Sequence, residues 1–130
     1  MKDILKFELY SRNIHAGERP KPWDETEQKV TLTSRGEVCI LRQSYDGSVI
    51  EETESAISTV HAAMALEMAP TGNEPTGLGT GSWQLAVEHG DGTVLNVSGS
   101  LADDAGRSYL MRKLLGRKDL FLFDGDHKAK

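Results

Sequence analysis

A glycine-containing turn between two alternating segments constrains the fold of this chain most strongly. Large apolar side chains alternate with polar or small ones on both sides of Gly90-Asp91-Gly92: Trp83, Leu85, Val87, Leu95 and Val97. A period of two is typical of strands that are buried on one face. With Gly92 in the left-handed position of a three-residue loop, Val87 faces Leu95 and Leu85 faces Val97. Trp83 then lies opposite Gly99, where the missing side chain leaves room for the indole.

A second hairpin is predicted earlier in the chain, around Ser34-Arg35-Gly36. Its apolar residues, Val30, Leu32, Val38 and Ile40, again alternate with polar ones. If Gly36 closes a type I turn with a bulge, Leu32 faces Val38 and Val30 faces Ile40. A shift by one residue sets apolar against polar side chains on both faces, so the pattern favours this register.

A helix is predicted after each hairpin. Four apolar residues define the expected buried stripe of the first helix, which Pro70 ends: Ile57, Val60, Met64 and Met68. Ser100 and Asp103 have capping-box spacing at the start of the second helix, and Gly116 ends it. Its apolar face is expected to comprise Leu110, Met111, Leu114 and Leu115. The sequence therefore predicts an α+β fold, a mainly antiparallel sheet of five to seven strands with two helices on one face, built as two hairpin–helix units.

The 130 residues are enough for one domain with its own core, and we expect a single domain over 1–130. Segments 11–27 and 70–81 are predicted to be mobile loops, and 125–130 a frayed tail. Residues 119–124 alternate apolar side chains on both faces, which is typical of an internal strand. The single Cys39 and the lack of a long apolar segment predict a cytoplasmic protein without a membrane span.

Charge is distributed unevenly along the chain. No Lys or Arg occurs between Arg42 and Arg107, whereas that stretch contains ten Asp and Glu residues. One interpretation of this layout is an acidic surface that docks on a basic protein partner; the alternative is that the acidic residues are scattered over several faces and keep the protein soluble. The carboxylates proposed for it lie before the first helix and at the second hairpin: Glu51, Glu52, Glu54, Glu88 and Asp91. Trp23, in a proline-containing segment, is a further contact candidate because tryptophan is frequent at interface hot spots. The favoured alternative is that Trp23 anchors this loop in the protein's own core.

Catalytic and metal-binding patterns are weak. Cys39 lies among apolar residues, and the sequence shows no general base that could activate it as a nucleophile. His61 and Glu54 could begin a metal site, but no third ligand occurs at a suitable spacing. The sequence therefore predicts no catalytic residue, no metal and no cofactor. The favoured function is a non-enzymatic protein-interaction module, possibly an acidic inhibitor or immunity-type protein. The alternative is a small-molecule-binding protein or enzyme with a pocket between the sheet and the 11–27 loop.

Nucleic-acid binding is a third possibility but is less favoured. Five basic residues lie in or after the second helix: Arg107, Arg112, Lys113, Arg117 and Lys118. Cations near a helix C-terminus are explained by the helix dipole. The net charge of −5 also opposes general binding to phosphate backbones, so we expect no nucleic-acid partner.

Overall fold

A computed structural model of the chain describes residues 3–14, 17, 19–74, 81–101 and 105–123. These residues form six strands and two helices. In chain order they are β1 (Ile4–Arg12), β2 (Glu25–Thr33), β3 (Glu37–Ser44), β4 (Val49–Ala56), α1 (Thr59–Glu67), β5 (Ser82–His89), β6 (Val94–Ser100) and α2 (Ala105–Leu115). The predicted α+β class, with an antiparallel sheet and two helices, is confirmed. Neither helix in the described part of the chain is long and apolar enough to cross a membrane.

All six strands belong to one antiparallel sheet in the order β4-β3-β2-β1-β5-β6. The first strand lies in the middle, because β1 pairs with β2 on one side and with β5 on the other. The two predicted hairpins therefore flank β1, and the edge strands are β4 and β6.

Both predicted hairpin registers are confirmed. Leu32 pairs with Val38 in the first hairpin, and Val87 pairs with Leu95 in the second. Gly36 and Gly92 both have φ +88°, the left-handed conformation that the turns require. Gly99 lies opposite Trp83, and a Cβ at that position would come within 2.6 Å of the indole. Turn chemistry and alternation together were sufficient to fix these pairings.

One face of the sheet carries the core, and we call the other the open face. The core face presents buried residues of the central strands, among them Phe7, Leu9, Leu32, Trp83 and Leu85. Ala62, Ala65 and Leu66 of α1 and Met111 and Leu115 of α2 complete the same cluster. The open face consists of the intervening strand residues, which are polar or charged for the most part.

The predicted apolar stripe of the first helix is wrong at its two middle residues, although Ile57 and Met68 at its ends are partly buried against the core. Val60 and Met64 are 66% and 50% exposed, whereas Ala62, Ala65 and Leu66 are buried. Because the helix is rich in alanine, its small-residue side can approach the sheet closely, and the longer side chains then point outward. The predicted face of α2 is confirmed at Met111 and Leu115, but Leu110 is exposed.

The strand predicted at 119–124 is also wrong within the described residues. Leu120, Phe121, Leu122 and Phe123 are all buried, but they form turns, and Leu122 has φ +54°. Side chains rather than a strand partner satisfy this backbone. Ser11 donates its hydroxyl to the Leu122 carbonyl at 2.7 Å, and Gln28 accepts the Phe121 N–H at 2.7 Å. Apolarity on both faces here marks a buried irregular segment.

The connection predicted at 11–27 is shorter than expected, since β1 extends to Arg12 and β2 begins at Glu25. The predicted mobile segment 70–81 lies partly outside the described residues. The predicted tail 125–130 and Asp103 of the predicted capping box lie outside them entirely.

Candidate interaction surface

A group of exposed large apolar side chains lies where β3 turns into β4, and we call it the aromatic tip. Its members are Trp23, Tyr45, Val49 and Ile50. Trp23 is 71% exposed, so it does not anchor its loop in the protein's own core. Large exposed apolar patches on proteins often mark interaction sites.

Backbone hydrogen bonds hold the two aromatic residues of the tip on adjacent segments. The Tyr45 N–H donates to the Asp24 carbonyl at 2.8 Å, and the Asp46 N–H donates to the Pro22 carbonyl at 3.1 Å. Asp46 also accepts hydrogen bonds from the Ser44 hydroxyl and the Ser48 N–H. Both bonds lower the pKa of the Asp46 carboxyl, and the bond from Ser44 has the larger effect. Trp23 is thus exposed on an ordered turn, which reduces the conformational entropy lost on binding.

An ion-pair network fastens the neighbouring strand β4 to the body of the domain. Arg42 on β3 donates to Glu25 at 2.6 Å and to Glu51 at 3.0 Å. Arg117, which follows α2, contacts Glu51 at 2.6 Å and Asp119 at 2.8 Å. Two guanidinium groups therefore serve three carboxylates, and Glu51 lies at the centre of the network.

Glu51 is consequently a structural residue on the helix side of the sheet. Hydrogen bonds from Arg117, and further ones from Arg42 and Thr53, lower the pKa of its carboxyl to about 2. The sequence prediction grouped Glu51 with Glu52 and Glu54, but the structure separates it from them. Its carboxylate is already occupied by two arginines, so we exclude it from the candidate surface.

Glu52 and Glu54 project from β4 onto the open face, opposite Leu41 and Cys39 of β3. Both residues are exposed. Within the described part of the chain, Glu52 makes no hydrogen bond or ion pair, and Glu54 accepts only a long one from the Cys39 thiol, at 3.8 Å. We call these two residues the acidic pair. They retain the charge that a basic partner could neutralise.

Glu88 and Asp91 do not join the acidic pair. Glu88 is on the open face of β5, four strands from β4, which corresponds to about 19 Å at the usual strand spacing. Asp91 lies in the β5–β6 turn and accepts hydrogen bonds from Thr93. This turn is at the opposite end of the strands from the aromatic tip. The five predicted carboxylates therefore do not form one patch.

Three shallow hollows on the open face are lined by described residues. One of about 530 Å³ is lined by polar side chains of four strands, including Glu8, Tyr10, Lys29, Gln84 and Asn96. Burial and the hydrogen bond to Glu27 raise the pKa of Tyr10 to about 12. The other two hollows, of about 590 and 570 Å³, lie on the β2–β4 side and both include Cys39 and Glu54.

The two edges of the sheet differ in their backbone hydrogen bonding. The Ile57 N–H donates to the Gly36 carbonyl, so by antiparallel alternation the N–H groups of Glu52, Glu54 and Ala56 point away from β3. No described residue bonds to them. On β6, by contrast, Asn73 accepts the Ser98 N–H at 3.0 Å, and the Glu74 N–H donates to the Ser98 carbonyl at 2.9 Å.

Other candidate groups serve local roles. Desolvation and the nearby Glu54 raise the pKa of the Cys39 thiol, which disfavours the reactive thiolate. The described residues contain no cluster of three potential metal ligands. Arg107 pairs with Glu74, and Arg112 donates to the carbonyls of Leu120 and Phe121. With Arg117 in the network above, these guanidinium groups act within the fold.

Sequence reasoning proposed Trp23 as a contact residue but did not propose Tyr45, Val49 or Ile50. The Asp46-Gly47 turn was the available signal, because an aromatic residue directly before a tight turn is at the end of a hairpin.

Comparisons with known proteins found no match: no family model, no curated protein and no solved structure matches the chain.

Proposed function

We propose that this protein is a non-enzymatic protein-interaction module that docks on a basic partner, in the manner of an acidic inhibitor or immunity-type protein. The docking surface comprises the aromatic tip and the acidic pair. The tip supplies apolar area at the centre of the contact, and Glu52 and Glu54 supply charge beside it.

The exposure of Trp23 on a hydrogen-bonded turn is the observation that carries the proposal. Tryptophan and tyrosine contribute a large share of binding energy at interfaces because they bury much area with few rotatable bonds. The acidic pair complements this contact, since opposite charges raise the association rate and align the partners.

Affinity capture from a native lysate of the source organism tests the proposal. The wild-type chain should recover one protein at low salt and less of it at high salt. Trp23→Ala should lose that protein, while Tyr109→Ala, a truncation of an exposed aromatic residue on α2, should retain it. Equal recovery by Trp23→Ala would contradict the proposed surface.

Charge reversal separates the role of the acidic pair from that of the tip. With the captured partner, Glu52→Lys combined with Glu54→Lys should lower the association rate and leave the dissociation rate nearly unchanged. The matched control is Glu88→Lys combined with Glu67→Lys, which makes the same change in net charge: Glu88 is on the same face but four strands away, and Glu67 lies in α1. If the association rate falls equally in the control, the effect comes from the net charge of the protein and not from the position of the acidic pair.

Binding of a small polar molecule is the second candidate function, and the hollow of about 530 Å³ favours it. Carboxylate, phenol, ammonium and amide groups line this shallow hollow, and such groups can form hydrogen bonds with a polar ligand. This hollow lies on the open face, so it differs from the pocket predicted under the 11–27 segment. Native mass spectrometry of the purified protein tests it, because a retained ligand adds a discrete mass.

A further inference from the structure

The exposed edge of β4 has both backbone and side-chain groups available for a partner. The N–H and C=O groups of Glu52, Glu54 and Ala56 point outward, and the side chains of the same residues lie on the open face. An edge with free donors and acceptors can accept a further strand.

We infer that an extended, basic segment of a partner protein adds to this edge as an antiparallel seventh strand. This inference rests on the proposed interaction function and assigns its binding mode. Lys or Arg residues at every second position of the added strand would lie beside Glu52 and Glu54. Successive residues on one face of a strand are about 7 Å apart, which matches the spacing within the acidic pair.

Charge selects this occupant over a second copy of the chain. In a symmetric pairing of two β4 edges, the acidic pairs of the two copies would lie close to one another across the junction. Like charges directly opposite each other destabilise a strand pair, whereas opposite charges stabilise it. The acidic pair therefore opposes self-association at this edge and favours a basic strand.

The other edge cannot accept a strand of the same length. At Ser98 on β6 both backbone groups are bonded, the N–H to Asn73 and the C=O to Glu74. Arg107 contacts the Glu74 carboxylate at 2.9 Å and holds this covering segment in place. An added strand could run only along Val94–Asn96, so β4 is the edge that remains.

Synthetic octapeptides with alternating Lys and Thr test the inference by NMR titration of the full chain. The peptide should shift the amides of Glu52, Glu54 and Ala56 and slow their exchange with solvent. Glu52→Gln combined with Glu54→Gln should weaken binding about fivefold, and Glu88→Gln should not change it. Shifts spread over the whole open face, with no protection at these three amides, would overturn strand addition.

Backbone methylation of the peptide separates strand pairing from simple charge attraction. In an antiparallel register, peptide residues that face the acidic pair also direct their N–H groups toward β4. N-methylation of the lysines should therefore abolish binding, and N-methylation of the threonines should preserve it. Equal binding of the two methylated peptides would overturn the inference. So would protection of the β4 amides in a peptide-free dimer, since the occupant would then be a second copy.

The peptide assay does not involve Trp23, so the two proposals can fail separately. If Trp23-dependent capture of a partner persists while the peptide fails to bind, the edge mode is wrong and the interaction function stands. If the peptide binds but the Trp23→Ala variant captures the partner unchanged, the proposed role of the aromatic tip is wrong.

Discussion

The two edge strands of the sheet have similar lengths, eight residues in β4 and seven in β6, but they differ in how far the rest of the chain covers them. β6 contributes Val97 and Gly99 to the buried side of the domain and is covered at Ser98 by residues 73 and 74. All residues of β4 other than Glu51 are exposed, and its outward backbone groups have no partner among the described residues. One edge is therefore covered by another segment of the chain, whereas the outward backbone groups of the other stay unpaired among the described residues.

A buried glycine on β6 gives the largest expected effect. Gly99→Val should destabilise the domain by about 3 kcal/mol, because the new side chain collides with the indole of Trp83. Ser55→Val, at an exposed position on β4, is the matched control and should be nearly neutral. Denaturant melts of both variants measure the difference. Equal losses would mean that β4 supports the core as much as β6 does.

Glu51 is the next most sensitive position, since it anchors the otherwise exposed β4. Glu51→Gln should cost about 2 kcal/mol by weakening charged hydrogen bonds to Arg42 and Arg117. The folded-state pKa of about 2 lies below the ordinary value of 4.5, so the unfolded chain binds the proton more readily in that interval. The stabilisation is present above pH 4.5 and is lost as the pH falls toward 2.

Acid titration of unfolding checks this assignment. The wild-type chain should lose stability over that interval more steeply than Glu51→Gln, which has no carboxyl to protonate at this position. If the two curves of unfolding free energy against pH run parallel, protonation of Glu51 does not cause the loss of stability in acid.

A smaller effect is expected from uncovering the β6 edge. Asn73→Ala should cost about 1 kcal/mol, because it removes the acceptor of the Ser98 N–H. Amide exchange at Ser98 should accelerate in the variant, while exchange at Val97 should stay slow. If Ser98 remains protected, another group covers this edge.

The acidic pair should have the smallest effect on stability. Glu52→Gln and Glu54→Gln should each change the free energy of unfolding by less than about 0.5 kcal/mol, since exposed charges contribute little to folding. Glu51→Gln is the direct comparison, because the loss of unfolding free energy at Glu51 should exceed the loss at the adjacent Glu52 several-fold. A loss at Glu52 equal to that at Glu51 would assign both to the structure.

Local patterns predicted much of this fold. The registers of both hairpins followed from alternation and from the conformations of Gly36 and Gly92, which short segments determine on their own. The central position of β1 could not be predicted in this way, because it depends on pairing with strands far apart in the sequence. The same limit applies to residues 120–123, whose backbone bonds to Ser11 and Gln28.

The candidate surface was predicted only in part. Glu51 and Glu52 are the same residue type at adjacent positions, and no local pattern states which one faces Arg117. That depends on the register of β4 and on the course of the chain after α2. In α1, likewise, Ala62, Ala65 and Leu66 are buried in place of Val60 and Met64. Apolar residues lie on more than one side of this helix, so helical spacing alone does not determine which side is buried. Trp23 was proposed from the sequence as a contact residue, but its exposure is seen only in the structure.

Amide hydrogen exchange of the free monomeric protein tests the contrast between the two edges most directly. The amides of Glu52, Glu54 and Ala56 should exchange at nearly unprotected rates, whereas those of Glu51, Thr53, Ser55 and Ser98 should be slow. That pattern would show β4 to be a paired strand with an open outer edge and β6 to be covered. Slow exchange at Glu52 and Glu54 in the free monomer would show that the β4 edge is already occupied and would contradict the account.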